Sequence, residues 1–115
     1  MDESWQFVTV IALVLNALLG FGYRLYRLPR GGTRADVNGQ ALLGVILITM
    51  AVALAFGAGW PRWPALVYGL LFGIVVMPIW VLAVLLPGSP GRLDYVFTAL
   101  YWIVLFVIVG GALAL

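Results

Sequence analysis

The chain contains neither cysteine nor histidine, and these two absences exclude several kinds of site. Without cysteine there is no disulfide, no thiolate nucleophile and no iron–sulfur cluster held by thiolates. Without histidine there is no imidazole to ligate a haem or a metal ion, or to relay protons near neutral pH. We therefore expect no cofactor, no metal site and no enzymatic activity.

Charged residues are also scarce, at 9% of the 115 residues against about 25% in soluble domains. Hydrophobic residues make up 65% of the chain, and the mean hydropathy is +1.17. The net charge of +2 comes from arginines without lysine, which is too little for a nucleic-acid footprint, so no nucleic acid is expected as a partner. Too few polar residues remain to cover a water-facing surface, so residues 1–115 are predicted to form a single membrane domain.

Four apolar stretches follow one another, each close to the roughly 20 residues that cross a bilayer core as a helix. They cover residues 5–23, 38–58, 65–86 and 95–115. The stretches are continuously apolar rather than alternating, and a helix satisfies its own backbone in lipid. The predicted fold class is all-α: a polytopic membrane protein with four transmembrane helices arranged as two hairpins.

The arginines predict the orientation of these spans. Five of the six lie in the first and third connections, and the second connection carries only Arg62. By the positive-inside rule, the first and third connections face the cytoplasm and both termini lie outside it. The chain is rich in alanine and glycine and uses arginine as its only basic residue, which is typical of a GC-rich bacterium, so the predicted location is a bacterial inner membrane, with multiple passes.

The two arginine-bearing connections share a pattern when the chain is shifted by 58 residues. Leu28-Pro29 then aligns with Leu86-Pro87, Arg34 with Arg92, and Asp36 with Asp94, so both read L-P-x-x-x-x-R-x-D. The pattern suggests a tandem repeat with halves 1–58 and 59–115, related by an axis along the membrane normal. The alternative is convergence, because proline ends a helix, arginine suits the cytoplasmic interface and aspartate caps the next helix.

Several residues within the spans are candidates for helix–helix contacts or for the lining of a pore. Asn16 is the most polar residue deep in any span, and in lipid its amide needs a partner from another helix. Gln40 and Thr49 on the second span are its expected partners. Gly69 and Gly73 form a G-x-x-x-G pair that lets helices approach closely, and Pro78 predicts a kink because it cannot donate to the carbonyl of Ile74. The complete set of these contact or pore candidates is Thr9, Asn16, Gln40, Thr49, Gly69 and Gly73.

The charged residues at the span boundaries form a second group of candidates. Asp36 and Asp94 precede the second and fourth spans and are interpreted as helix caps, with an Arg/Asp gate as the alternative. Thr33 is an alternative cap for the second span, with Asp36 completing a capping box. The cations are interpreted as contacts to cytoplasmic lipid or to a partner: Arg24, Arg27, Arg30, Arg34 and Arg92.

These observations favour a non-catalytic membrane subunit or accessory factor of a larger bacterial complex for energy transduction, transport or biogenesis. Its expected partners are membrane lipids and other membrane subunits, or further copies of the chain as a homo-oligomer. The alternative is a small oligomeric channel or facilitator lined by the polar residues of the first two spans. A third hypothesis, an enzyme acting on a lipid headgroup, needs Arg34, Asp36, Arg92 and Asp94 to converge on one pocket.

Overall fold

The structure, a computed structural model, describes residues 3–30, 34–87 and 91–114, and describes only the backbone of Glu3, Arg30, Asp36 and Val84. These ranges are all-helical, and four helices are long and apolar enough to cross a membrane, which confirms the four predicted spans. The helices are α1 (Glu3–Arg27), α2 (Arg34–Ala55), α3 (beginning with Arg62–Leu70) and α4 (Arg92–Ala114).

Each helix begins before the apolar stretch that predicted it. The stretches mark the hydrocarbon core of the bilayer, whereas the helices continue into the polar interface, where arginine is tolerated. As a result, α2, α3 and α4 all begin at an arginine, namely Arg34, Arg62 and Arg92. The long axis of the molecule is 44 Å, close to the roughly 40–45 Å of a bilayer with its headgroups.

Helix α3 contains two π-helical segments. It continues from Leu70 through π-helical Leu71–Val76, α-helical Met77–Trp80 and π-helical Val81–Leu85. In the first π segment the N–H of Met77 donates to the carbonyl of Phe72. Because an i→i+5 bond closes a loop one residue longer than an α-helical bond, each segment adds a residue to the helix.

A glycine ends α2. Gly57 has φ +92°, in the region that favours glycine, and its N–H donates to the carbonyl of Leu54 at 3.0 Å. The N–H of Ala58 donates to the carbonyl of Ala53, also at 3.0 Å, which completes a Schellman motif. This compact ending turns the chain directly towards α3.

Helix α1 packs closely against α2 and α4, and α4 packs against α3. Only 28–33% of each spanning window is buried, so most of every helix faces outward with apolar side chains. The interior consists mainly of aliphatic side chains, together with Met50, Met77 and Tyr68. The buried core residues are Ala12, Leu13, Ala17, Leu47, Met50, Ala51, Ala65, Tyr68, Met77, Leu105, Ile108 and Ala112.

Side-chain hydrogen bonds define the two ends of the bundle. At one end, Gln6 Nε2 donates to the carbonyl of Leu54 at 2.6 Å, and Arg62 Nε donates to the carbonyl of Ala112 at 3.0 Å. At the other end, the hydroxyl of Tyr23 donates to Asp94 Oδ1 at 2.7 Å. The first and third connections therefore share an end, which we call the arginine end; the opposite end is the Gln6 end.

Candidate functional site

Three polar side chains from three helices meet in the interior, and we call them the polar chain. The hydroxyl of Tyr68 on α3 donates to Oδ1 of Asn16 on α1, which is 1% exposed. The hydroxyl of Tyr68 also lies 2.6 Å from that of Tyr101 on α4. Within the described part of the chain, Nδ2 of Asn16 has no hydrogen-bond partner. A buried amide donor therefore remains available in the middle of the bundle.

The residues expected to bond Asn16 lie elsewhere. Thr49 is exposed on the outer face of α2, where its hydroxyl donates to the carbonyl of Val45 at 2.8 Å. Gln40 is half-buried near the arginine end, where its side-chain oxygen occupies the space that a Cβ on Gly20 would need. The partner of Asn16 belongs to α3 instead, because the face of α1 that carries Asn16 is turned towards Tyr68.

Thr9 is fully buried on α1 near the Gln6 end. Its hydroxyl donates to the carbonyl of Trp5 at 2.7 Å, so the hydroxyl is satisfied within its own helix. A Cβ built on Gly111 would clash with the Thr9 hydroxyl, which shows that α1 and α4 are closely apposed at this point. Thr9 thus contributes to a helix–helix contact, and it makes no bond to the polar chain in the structure.

The G-x-x-x-G pair is occupied by α4 of the same chain. A Cβ built on Gly69 would lie 2.5 Å from Val109 Cγ2 and 3.2 Å from the carbonyl oxygen of Leu105. At Gly73, a Cβ would lie 3.7 Å from the ring of Phe106. Since this face is filled internally, it is not free to receive another chain.

Pro78 affects a different carbonyl from the one expected. In an α-helix its missing N–H would leave the carbonyl of Ile74 without a donor, but the π segment shifts the bonding by one residue. Met77 donates to Phe72, and Pro78 has no N–H, so the carbonyl of Gly73 loses its helical donor. Trp102 Nε1 on α4 supplies the replacement at 2.8 Å. Sequence reasoning missed Trp102, because only the π register reveals which carbonyl is free.

An apolar layer closes the bundle between the polar chain and the Gln6 end. Leu13, Leu47, Leu105 and Ile108 are each at most 1% exposed. Leu13 precedes Asn16 on α1, and the two α4 residues follow Tyr101 on the antiparallel helix, so this layer lies on the Gln6 side of the polar chain. It separates the polar chain from Thr9 and Gln6.

On the other side of the polar chain lies a cavity of about 50 Å³, which we call the aromatic cavity. Five of its lining side chains are aromatic, and Tyr101 connects it to the polar chain. Polar groups reach it from Arg24, Gln40 and Thr98. The complete lining is Leu19, Gly20, Tyr23, Arg24, Gln40, Phe72, Val76, Met77, Trp80, Phe97, Thr98 and Tyr101.

Two arginines of α1 lie beside the aromatic cavity, at the arginine end of the bundle. The Cζ atoms of Arg24 and Arg27 lie 5.8 Å and 6.0 Å from the ring centroid of Trp80. Arg27 also lies over Tyr23, at 5.8 Å, and the Tyr23 and Trp80 rings meet edge to face. We call Arg24 and Arg27 the arginine pair. Aromatic faces attract these cations and hold them in place.

Asp94 lies inside α4 rather than before it. The helix begins at Arg92, so Asp94 is its third residue, and Oδ2 accepts a hydrogen bond from the N–H of Gly91 at 2.8 Å. This contact is the reciprocal half of a capping box, in which the third residue reaches back to the cap. Asp94 precedes the apolar stretch 95–115 as predicted from the sequence, but α4 already starts at Arg92, so Asp94 acts from the first turn of the helix rather than as the residue before it.

The remaining boundary residues lie outside the lining of the aromatic cavity or outside the described residues. Arg34 and Arg92 are exposed, and they and Asp94 are absent from the lining of the aromatic cavity. Asp36 is the third residue of α2, as Asp94 is of α4, but its side chain lies outside the described residues. The side chain of Arg30 and the whole of Thr33, the alternative cap, also lie outside them.

Comparison with known proteins adds no relative to this description. No protein family model, no curated protein and no solved structure matches the chain. The polar chain, the apolar layer and the aromatic cavity are the features of the molecule that bear on its function.

Proposed function

We propose that this protein is a non-catalytic integral membrane subunit or accessory factor of a larger bacterial membrane complex. The observation that carries this proposal is the apolar layer of Leu13, Leu47, Leu105 and Ile108, at most 1% exposed, which interrupts the interior between the polar chain and the Gln6 end. A conducting protein needs a water-filled path, and an apolar layer packed without space for water closes such a path. Among the described residues, the adjoining polar side chains extend from the arginine end to Asn16, and Thr9 and Gln6 lie beyond the apolar layer.

The outer surface supports the same proposal. Every helix exposes large apolar side chains, including Ile46 on α2, Ile74 on α3 and Ile103 on α4, at 49%, 61% and 58% exposure. The described connections are short, so little of the chain extends beyond the membrane. A surface of this kind contacts lipid or other transmembrane helices, and we propose partner subunits or further copies of the chain as its occupants.

The proposed location is a bacterial inner membrane with both termini outside the cytoplasm. Support comes from the arginine end, where Arg24 and Arg27 both lie over the ring of Trp80 and where Arg34 and Arg92 are exposed. Short cytoplasmic connections carry an excess of arginine and lysine, which favours the cytoplasmic side for this end.

Co-purification tests the subunit proposal. The chain, tagged at its C-terminus, is extracted from native membranes in a mild detergent, and the co-purifying membrane proteins are identified by mass spectrometry. We expect a constant set of partners that is reduced by a tryptophan placed at Ile46 or Ile74, on the exposed faces. Asn16→Leu, which alters only the interior, is the matched control. Recovery of the chain alone in every detergent tested would contradict the proposal.

A small channel or facilitator is the second candidate. The unpartnered Nδ2 of Asn16 favours it, because a buried amide donor without a protein partner is suited to a transient polar solute or water. Flux through liposomes containing only this protein distinguishes the two candidates. A subunit gives no flux, whereas a channel gives flux that Asn16→Leu abolishes without a loss of thermal stability.

We further propose that the chain is a tandem repeat of two helical hairpins. Support comes first from α2 and α4, where the buried residues Leu47 and Leu105 are 58 positions apart. Leu54 and Ala112 have the same separation, and the carbonyl of each accepts a side-chain hydrogen bond from the start of the preceding helix. Buried positions of α1 and α3 instead recur at a separation of 56: Thr9 with Ala65, Ala12 with Tyr68, Leu13 with Gly69, and Ala17 with Gly73.

The two π segments account for the change in the separation of equivalent residues, from 56 positions between α1 and α3 to 58 positions between α2 and α4. Gln6 and Arg62, which donate the equivalent bonds, are 56 residues apart, and they lie before both segments. Leu71–Val76 and Val81–Leu85 each add one residue to α3 relative to α1. The loop pattern that follows them is therefore displaced by 58.

Single-residue deletions test this account. Deletion of Ile74 within the first π segment allows that turn to relax to α-helix while the flanking residues keep their faces. Deletion of Leu18 in α1, which is equally exposed (59% against 61%), rotates the following residues by about 100°. We expect the first variant to fold with little change in melting temperature and the second to lose its fold. If both deletions lowered the melting temperature equally, the shared L-P-x-x-x-x-R-x-D pattern of the two connections would be a coincidence.

A further inference from the structure

Two guanidinium groups converge on one indole ring at the arginine end. The Cζ atoms of Arg24 and Arg27 lie 5.8 Å and 6.0 Å from the centroid of Trp80. The two residues are three positions apart on α1, so helix geometry places them on one side. Like charges held this close repel each other, and an anion shared between them relieves the repulsion.

The carboxylate nearby offsets only one of these charges. Asp94 Oδ1 accepts the hydroxyl of Tyr23 at 2.7 Å, and Tyr23 lies between Asp94 and the ring contact of Arg27. Asp94 Oδ2 is engaged by the N–H of Gly91 at 2.8 Å. Among the described side chains around Tyr23 and Trp80, two are cationic and one is anionic, so one positive charge is in excess, which matches the single negative charge of a phosphodiester.

The aromatic cavity lies directly beside this excess charge. Arg24 lines it together with Phe72, Val76 and Met77, and its volume of about 50 Å³ is mostly enclosed by apolar atoms. A space with this lining accommodates methylene groups better than an ion. Its α3 wall includes the first π segment, and π-helical turns occur frequently at functional sites.

We propose that Arg24 and Arg27 bind the phosphodiester of one anionic phospholipid, whose adjacent methylene groups enter the aromatic cavity. Arginine provides a planar set of donors that suits phosphate oxygens. The inference deepens the lipid contact of the proposed function and rests on the arginine end lying at a membrane surface. It does not depend on whether the chain is a subunit or a channel, so the two proposals fail separately.

Lipid retention by the purified chain tests the inference. Native mass spectrometry compares phosphatidylglycerol with phosphatidylcholine of the same acyl chains. We expect one phosphatidylglycerol per chain, retained about tenfold better than phosphatidylcholine. The double variant Arg24→Gln/Arg27→Gln should lose this preference. Arg92→Gln, which removes an exposed arginine at the same end, is the matched control and should keep it.

A second variant tests the cavity without changing any charge. Val76→Phe fills the space and should reduce phosphatidylglycerol retention, and helicity and melting temperature verify that each variant is folded. Millimolar inorganic phosphate should not displace the lipid. Displacement of the lipid by phosphate would show that the arginine pair binds a free anion and not a phospholipid. Equal retention of both lipids, or equal losses with Arg92→Gln and the double variant, would overturn the proposal. If Val76→Phe does not fold, the arginine variants decide.

Discussion

Tyr68 joins three helices through a single oxygen atom. Its hydroxyl donates to Asn16 on α1 and lies 2.6 Å from the hydroxyl of Tyr101 on α4. Tyr68→Phe removes both contacts and leaves the Asn16 amide without a partner, at a cost of roughly 1–3 kcal/mol. Tyr101→Phe removes one contact and should cost roughly 0.6 kcal/mol. Thermal unfolding in detergent measures both values.

The order of these two losses is the informative result. A larger loss for Tyr101→Phe would mean that Tyr101, rather than Tyr68, is the centre of the polar chain. Asn16→Leu provides a further comparison, since it removes an amide whose Nδ2 is already unpartnered. We expect it to cost less than Tyr68→Phe.

Gly69 marks the closest approach of α3 to α4. Gly69→Ala places a methyl group 2.5 Å from Val109 Cγ2 and should destabilise the protein by roughly 1–3 kcal/mol through overpacking. Gly22→Ala is the matched control, because nothing lies within 4 Å of its added Cβ. In an open helical position alanine is favoured over glycine by about 0.5–1 kcal/mol, so this variant should be neutral or stabilised. A melting temperature that falls equally in both variants would contradict the packing.

At the level of the helix, α3 depends on α4 for a backbone hydrogen bond. The carbonyl of Gly73 receives Trp102 Nε1 at 2.8 Å in place of the donor that Pro78 lacks. Trp102→Phe should leave this carbonyl unsatisfied and cost roughly 1–3 kcal/mol. In a Pro78→Ala background, the new N–H at position 78 donates to Gly73 in the π register. The same tryptophan change should then cost markedly less.

This double-mutant cycle isolates the bond between Trp102 and Gly73. Additive losses in the cycle would show that Trp102 acts through packing alone. Chemical denaturation in mixed micelles measures the four free energies of unfolding.

The four helices follow directly from hydropathy, but their ends do not. Continuous apolar stretches predict spans because lipid leaves the backbone few alternatives to a helix. Arg62 falls before the third stretch, in the predicted second connection, whereas it begins α3 and donates to the carbonyl of Ala112. Hydropathy records where the hydrocarbon core ends, and the arginine satisfies a carbonyl beyond that boundary.

Contacts between helices were less predictable than the helices themselves. The polarity of Asn16 predicted that it needs a partner, but the rotation of α1 determines that the partner is Tyr68 and not Gln40. Tyrosine within an apolar stretch has no signal that separates an interfacial ring from a buried hydroxyl. The π segments of α3 could not be predicted either, because apart from Pro78 no residue pattern indicates their i→i+5 backbone hydrogen bonds.

For the whole molecule, the grouping of connections into two ends makes the orientation testable. Tyr23 and Asp94 bring the first and third connections to one end, and Gln6 and Arg62 lie at the other. Reporter fusions within residues 31–33 and after Leu115 should give opposite answers, with the first in the cytoplasm. A cytoplasmic C-terminus would refute the orientation.

The position of Tyr68 has a consequence for the order in which the protein is made. Asn16 enters the membrane with the first helix, but its partner arrives only with the third. The hydrogen bond from Gln6 to the carbonyl of Leu54 can already join the first two helices while the side chain of Asn16 still has no partner in lipid. We infer a stage of synthesis at which the nascent chain is inserted but incomplete. At that stage a membrane insertase or chaperone has a polar group to hold, and Tyr68 takes over the side-chain oxygen of Asn16 once the third helix enters the bilayer.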